Sequence, residues 1–502
     1  MIKRRAAALA IGLAFAALPS LAQTLRIGLA EDPDVLDPTL ARTFVGRIVF
    51  AAVCDKLFDL DENLNIVPQL ATSYAWSPDY KTLTLKIRQG VTFHDGEKLD
   101  AAAVKYNIER HKTMPGSNRR GELAPVASVD AIDNDTVRLN LSAPFAPLLA
   151  VLTDRAGMMV SPKAAKAEGE KFGAHPVCAG PFKFVDRVAQ GRISFERFPN
   201  YWNKAAIHFD KLYYEPIVDS QVRVANLKAG QLDFIERFNP SDMAGLKADT
   251  RFKVAKIVEL GYQGITINIG KSDLAQKNPL GKDPRVREAL ELSLDRDAIV
   301  QVAMDSEALP GNQWVAPTNS WYAKNDPIPK RDVNRAKALL KEAGVPNASF
   351  ELLTPTTSDA QRIAQVVQAM AKEAGFDVKI RSTEFSTTLD MADKGQFEAY
   401  VLAWSGRADP DGNLFSHLGC KQPLNYAGYC NAEVDDWIAK SRATGDRAER
   451  QKDFDKIAVQ VAKDRPIIYV YHRHWLWAYT NKLSGLRTVP DGMIRLQDLK
   501  MN

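Results

Sequence analysis

Strand and helix signals alternate along almost the whole chain, and a chain so patterned is confined to sheets covered by helices. Leu83, Leu85 and Ile87 alternate with polar residues in KTLTLKIR, as a half-buried strand requires; Val137, Leu139 and Leu141 repeat this in TVRLNL. Between them Asp100 stands where it can cap a helix beginning AAAVKYNIERHK. Further on, Asp283 and Pro284 open a helix as N-cap and first-turn proline, with Val286, Ala289, Leu290 and Leu294 on one face. Ala336, Leu339, Leu340 and Ala343 form a second stripe, stopped by Gly344. Ile363, Val366, Val367, Met370 and Ala374 form a third, stopped by Gly375 before the strand FDVKI. A fourth, Phe454, Ile457, Ala458 and Val461, ends at Pro466 before the strand IIYVY. The expected fold class is α/β. About 480 residues after the first 22 exceed a single core, so at least two domains are expected. No repeat, low-complexity tract or flexible linker interrupts the pattern, so ordered crossings should join them.

Residues 1–22 read as an export signal. Lys3, Arg4 and Arg5 precede an uncharged apolar run from Ala6 to Leu18, and a small-x-small pattern ends at Ala22. Cleavage before Gln23 is expected, with no cysteine there to carry a lipid; an uncleaved membrane anchor is the alternative. Losing the signal takes three positive charges from the formal +5, leaving about +2, so nothing in the charge calls for a nucleic-acid partner. In an exported chain, four cysteines favour disulfides. Cys420 and Cys430 enclose the short loop GCKQPLNYAGYC and are paired here, which leaves Cys54 with Cys178; four buried free thiols are the alternative.

Catalytic motifs are scarce. Neither HExxH nor GxSxG occurs, and in GITINIGKS the first glycine sits one residue too far out for a phosphate-binding loop. The alternation of Ile265, Ile267 and Ile269 says strand instead. His472 and His474 in YHRHW are two apart, so on a strand they share a face and could share a metal, but no third ligand is visible nearby. No cofactor is implied. Aromatics cluster late in the chain, and Trp404 stands out because it runs into the polar turn SGRADPDGN, carrying Arg407, Asp409 and Asp411.

These segments together resemble a known family. LDP at Leu36 to Pro38, the run from CDKLFDLDENLNIVPQLATSYAW to DAAAVKYNIER, CAGPFKFV, RFPNYWN, VANLKAGQLDFI, DPRVREALELSLDRDAIV, AKALLKEAGV and DRPIIYVYHRHW follow in order. They are similar to the bacterial extracellular solute-binding proteins of family 5, the dipeptide, oligopeptide and nickel-binding class of ABC importers. Cys178 and Ala179 depart from the usual glycine-threonine, whereas Gly180 and Pro181 keep the pattern. The resemblance implies a two-lobed periplasmic binding protein fold of class II type with an extra subdomain. Lobe one would comprise residues 23–45, 176–262 and 476–502, its subdomain 46–175, and lobe two 263–475. It also implies a monomer in the periplasm that closes on a small-molecule ligand and hands it to an inner-membrane permease and ATPase.

In peptide-binding members a carboxylate in the loop after the Trp404-like tryptophan pairs with the ligand's amino group. Here Arg407 most nearly occupies that position, and Asp409-Pro410 matches an acid-proline pair elsewhere in the loop. An arginine fork suits a carboxylate, so a peptide-like, anionic ligand is expected, although Arg407 could instead pair internally. Phe44, Tyr262, Asn268 and Tyr426 are further ligand-binding candidates by position. A metal or metallophore receptor using His472 and His474, and a periplasmic hydrolase, are the competing functions.

Overall fold

In the computed structural model, which describes residues 23–502, one long strand organises the molecule. Ile467–Thr480 runs antiparallel to Tyr262–Ile267 along its first part and to Phe252–Val258 and Phe234–Glu236 along its second. Beyond the second part, Thr24–Leu29 pairs in parallel with both Phe234–Glu236 and Lys211–Pro216, and Arg192–Arg197 and Phe182–Val188 complete that side. Beyond the first part come Ala399–Trp404, Ser349–Pro355 and Asp377–Thr383. Each side has its own core. One gathers Leu25, Ile27, Val49, Phe195 and Trp477, the other Ile265, Leu290, Leu340, Leu352 and Val367.

A third core lies within a four-stranded antiparallel sheet ordered Ala71–Trp76, Thr82–Ile87, Thr136–Leu141 and Val126–Ala131. Its two central strands are the alternating segments KTLTLKIR and TVRLNL, and the helix Ala101–Thr113 packs on it. Asp100 caps that helix by accepting from the Ala103 amide at 2.9 Å. Asp283 likewise accepts from Arg285 N at the start of Pro284–Ser293. Gly344 and Gly375 follow their helices with φ of +76° and +102°, where a side chain would be strained.

The strand after Pro466 extends well past IIYVY, through the polar residues His472, Arg473 and His474. They tolerate a central strand because this is where the two sides of the sheet meet, and each finds a partner there. His472 Nδ1 lies 2.6 Å from the Gly261 carbonyl, Arg473 faces Glu259 and Asp359, and His474 faces Glu307 at 3.2 Å. The second crossing, Glu259 to Gly261, runs alongside. Gly261 is obligatory, since a Cβ there would lie 1.7 Å from the Trp404 carbonyl oxygen.

Both expected disulfides are present, Cys54–Cys178 and Cys420–Cys430. Cys54 ends the helix Phe44–Val53, so the first bridge ties the chain where it leaves for the four-stranded sheet to the point where it returns. The expected export signal, residues 1–22, lies outside the described residues. Among the described residues no helix is long and apolar enough to cross a membrane.

Candidate functional site

Between the two lobes, against the crossings, lies a cleft with a volume of about 270 Å³. The strand Ala399–Trp404 delivers Trp404 to its wall, and Gly406, at φ +82°, turns the chain where any Cβ would strike Leu260. That turn folds Arg407 back over the Trp404 ring, with its guanidinium carbon 4.4 Å from the centroid. Asn413 Oδ1 fixes both residues by accepting from Trp404 Nε1 at 2.9 Å and Arg407 N at 2.8 Å.

Arg407 then reaches across to the other lobe. Its Nε stands 2.7 Å from Asp154 Oδ2, its Nη1 donates to the Gly406 carbonyl, and its buried Nη2 has no hydrogen-bond partner. Asp154 is also gripped by Arg47, at 3.1 Å to Oδ1 and 3.0 Å to Oδ2. Burial opposes ionisation of Asp154, yet the guanidiniums of Arg407, Arg47 and Arg155 overcome it and hold the carboxyl well below its usual range. Burial draws the Arg407 pKa down to about 10, against the pull of Asp154 and with help from the like charge of Arg47.

Other contacts across the cleft are aromatic and ionic. Arg442 lies between Phe145 of one lobe and Phe415 of the other, 4.5 and 3.8 Å from their ring centroids, with Nε 3.1 Å from Asp411. Its carbonyl accepts from Ala146 N at 2.9 Å. Arg42 meets Asp390 at 3.2 Å and Asp393 at 2.9 Å, and Ser358 Oγ donates to Asn239 Oδ1 at 3.0 Å. At the crossings, burial pushes the Glu259 carboxyl up to about 7, although Arg473 and Gln263 favour its charged form.

Among the residues expected to meet ligand, Phe44, Trp404, Arg407, Asp409 and Tyr426 all line this cleft. Asp409 is held in a two-pronged pair with Arg450 at 2.6 and 2.8 Å. Tyr262 and Asn268 are not among the lining residues. Tyr262 is buried edge-on against Tyr469, and the Asn268 amide is spent on the carbonyls of Gly395 and Phe397. Both were placed by their closeness to the crossing, but Tyr262 is packed against buried aromatics and Asn268 lies just beyond the strand Tyr262–Ile267 with its amide committed to backbone carbonyls. His472 meets the Gly261 carbonyl through Nδ1 alone, and its buried Nε2, without a hydrogen-bond partner, lies against Gly311, where a Cβ would come within 2.2 Å of it. Sequence reasoning missed Arg119, Asp154 and Arg155 because they come from the inserted subdomain, in segments without periodicity or motif.

Two lobes, two adjacent strand crossings and a polar, aromatic cleft between them define a two-lobed binding protein of class II type. The chain belongs to the bacterial extracellular solute-binding proteins, family 5, whose description "Bacterial extracellular solute-binding proteins, family 5 Middle" matches residues 65–425. It is 28% identical to the glutathione-binding protein GsiB of Pectobacterium atrosepticum, over 92% of this chain and 91% of that one. Against the protein of that name from Escherichia coli the identity is 27%, covering 98% of each. Among solved structures, the binding protein AgaA of A. tumefaciens in complex with agropinic acid superposes with a TM-score of 0.87 at 27% identity, covering 95% of this chain and 99% of that one. Helicobacter pylori DppA in complex with the peptide STSA gives 0.87 at 25%, covering 95% and 98%.

Proposed function

We propose that this protein is the periplasmic solute-binding component of an ABC importer, capturing a peptide-like solute with an anionic group and delivering it to a permease without turnover. In this reading the export signal is cleaved, the protein works as a monomer, and the crossings at Glu259 to Gly261 and His472 to His474 form the hinge. Lobe one combines residues 23–45, 176–262 and 476–502 with the subdomain 46–175, and lobe two is 263–475. A ligand touching both lobes binds the closed form better than the open one, so it shifts the population toward closure.

The observation that carries this reading is Arg407, whose guanidinium forms part of the cleft wall and keeps one buried N–H group without a partner. A carboxylate is the natural acceptor for such a donor, and a charge-assisted bond in a closed cleft is strong. Phe44, Trp404 and Tyr426 supply apolar faces for the rest of the solute, and Asp409 holds the loop through Arg450. Relatives named for glutathione and a structure holding agropinic acid support an acidic, peptide-like or amino-acid-derived solute. The metallophore reading is less favoured because the His472 ring already has a backbone partner and a glycine packed on it.

The test is native mass spectrometry of the protein purified from its own periplasm, followed by calorimetry of the released compound with wild type and Arg407→Ala. An anionic compound of defined mass whose affinity falls at least tenfold in the variant supports the reading. A neutral or cationic compound, or unchanged affinity, overturns the anionic assignment. Conversion of the compound by the protein overturns the binding-only role.

A further inference from the structure

The inserted subdomain brings a concentration of charge to the cleft that sequence reasoning did not assign to ligand. Arg119, Asp154 and Arg155 line it, and all three side chains are nearly buried. Arg155 donates to the Ala41 carbonyl at 2.8 Å, while its Nε stays 3.8 Å from Asp154 and without a hydrogen bond. Arg119 pairs with Glu122 through one Nη and reaches the same Ala41 carbonyl with the other, leaving its own buried Nε unpartnered. Arg47 stands behind Asp154 on the same lobe, and Arg407 arrives from the opposite one. Four guanidiniums thus converge on two carboxylates, Asp154 and Glu122, leaving a surplus of two positive charges in a water-poor place.

A buried surplus of like charge is unfavourable unless something neutralises it. The neighbouring ion pairs offer no relief, since Arg442 with Asp411 and Arg450 with Asp409 are already balanced. Three of the four guanidiniums also carry a buried N–H group with no partner: Arg407 Nη2, Arg119 Nε and Arg155 Nε. Uncompensated charge and unfilled donors therefore coincide at one end of the cleft.

We infer that Arg47, Arg119, Arg155 and Arg407 form one anion subsite, assembled across the two lobes, that takes the acidic end of the solute and selects for a dicarboxylate. The inference rests on the solute-binding reading above and deepens it. Arg119 and Arg155 are its specificity-determining residues, and the subdomain is a recognition element as well as a structural one. Closure is strengthened by ligand charge. Arg407 pairs with Asp154 across the cleft, and an anion that offsets the surplus charge of Arg47, Arg119 and Arg155 favours this closed arrangement further.

The test measures affinity and closure with three dicarboxylate probes, glutathione, glutamyl-alanine and N-acetylglutamate, each against its fully esterified form. Calorimetry reads affinity and small-angle scattering reads the radius of gyration, on wild type, Arg155→Met and Arg119→Gln. The expected result is that at least one free acid binds at least tenfold more tightly than its ester and alone contracts the protein. In either variant that folds to a wild-type Tm within a few degrees, the acid-over-ester preference should collapse while ester affinity holds. A panel in which acids and esters bind and close the protein equally overturns the subsite and leaves solute capture standing. A panel bound in neither form overturns the subsite together with the acidic peptide-like reading. A preference that survives in both variants overturns the assignment to Arg119 and Arg155.

Discussion

Phe44 lies flat on Trp475, their ring centroids 4.3 Å apart and their planes within 3°. One ring opens the helix that leaves lobe one and the other sits in the strand that crosses between lobes, so the stack joins a cleft wall to the junction. Arg237 covers Phe44 at 5.1 Å, and Gly492 backs the pair. A Cβ at Gly492 would fall 2.6 Å from Trp475 and 2.8 Å from Phe44, and its φ is +75°. Gly492→Ala should therefore destabilise the protein by about 2–3 kcal/mol, through overpacking and backbone strain together. Urea unfolding checks the stability, and calorimetry should show weaker solute binding as the stack shifts.

The two disulfides should differ in worth. Cys54–Cys178 spans 124 residues and Cys420–Cys430 only 10. On the chain-entropy account the first contributes about 5 kcal/mol and the second about 3 kcal/mol. Paired serine substitutions of Cys54 and Cys178 should lower unfolding stability more than those of Cys420 and Cys430. The second pair should show its effect in affinity, because its loop carries Leu424 and Tyr426 to the cleft wall.

Arg42 makes its pairs with Asp390 and Asp393 at the rim, where those carboxylates are largely exposed. Exposed pairs are worth about 0–1 kcal/mol and are screened by salt. Arg42→Ala should weaken solute affinity by less than about fivefold, and the difference should vanish in strong salt. Arg407→Ala should keep its larger effect there, since its pair with Asp154 is buried.

Glu259 gives a pH dependence with a definite sign. Burial raises its carboxyl from 4.5 in the unfolded chain to about 7, so the folded state prefers the protonated form. Its contribution to stability is full below pH 4.5 and is lost as pH rises through 7. In Glu259→Gln this loss disappears, so the variant's stability relative to wild type should climb by up to about 1.4 kcal/mol per pH unit across that window. Urea titrations at pH 4.5, 6 and 7.5 check it, and a difference that stays flat would show that Glu259 titrates normally.

Much of the fold was legible along the chain because strand and helix periods, caps and stop glycines are local signals. Leu83, Leu85 and Ile87 announced a strand by alternation, Asp100 and Asp283 announced helix starts, and Gly344 and Gly375 marked helix ends where the backbone turns left-handed. The order of short motifs disclosed the family in the same way. Trp404 and Arg407 were visible as candidates because a tryptophan running into a charged turn is a compact pattern.

What tertiary structure alone decided is which charges meet. Asp154 and Arg407 stand in different lobes, 253 positions apart, yet lie 2.7 Å from each other. Arg119, Arg155 and Arg442 carry no periodic or motif signature, so nothing local separates them from solvated arginines. Asn268 shows the converse, a plausible site residue by position whose amide is claimed by the Gly395 and Phe397 carbonyls. Local propensity is written in neighbouring residues and can be read from them. Electrostatic compensation depends on distance through space, and the folded lobes set that distance.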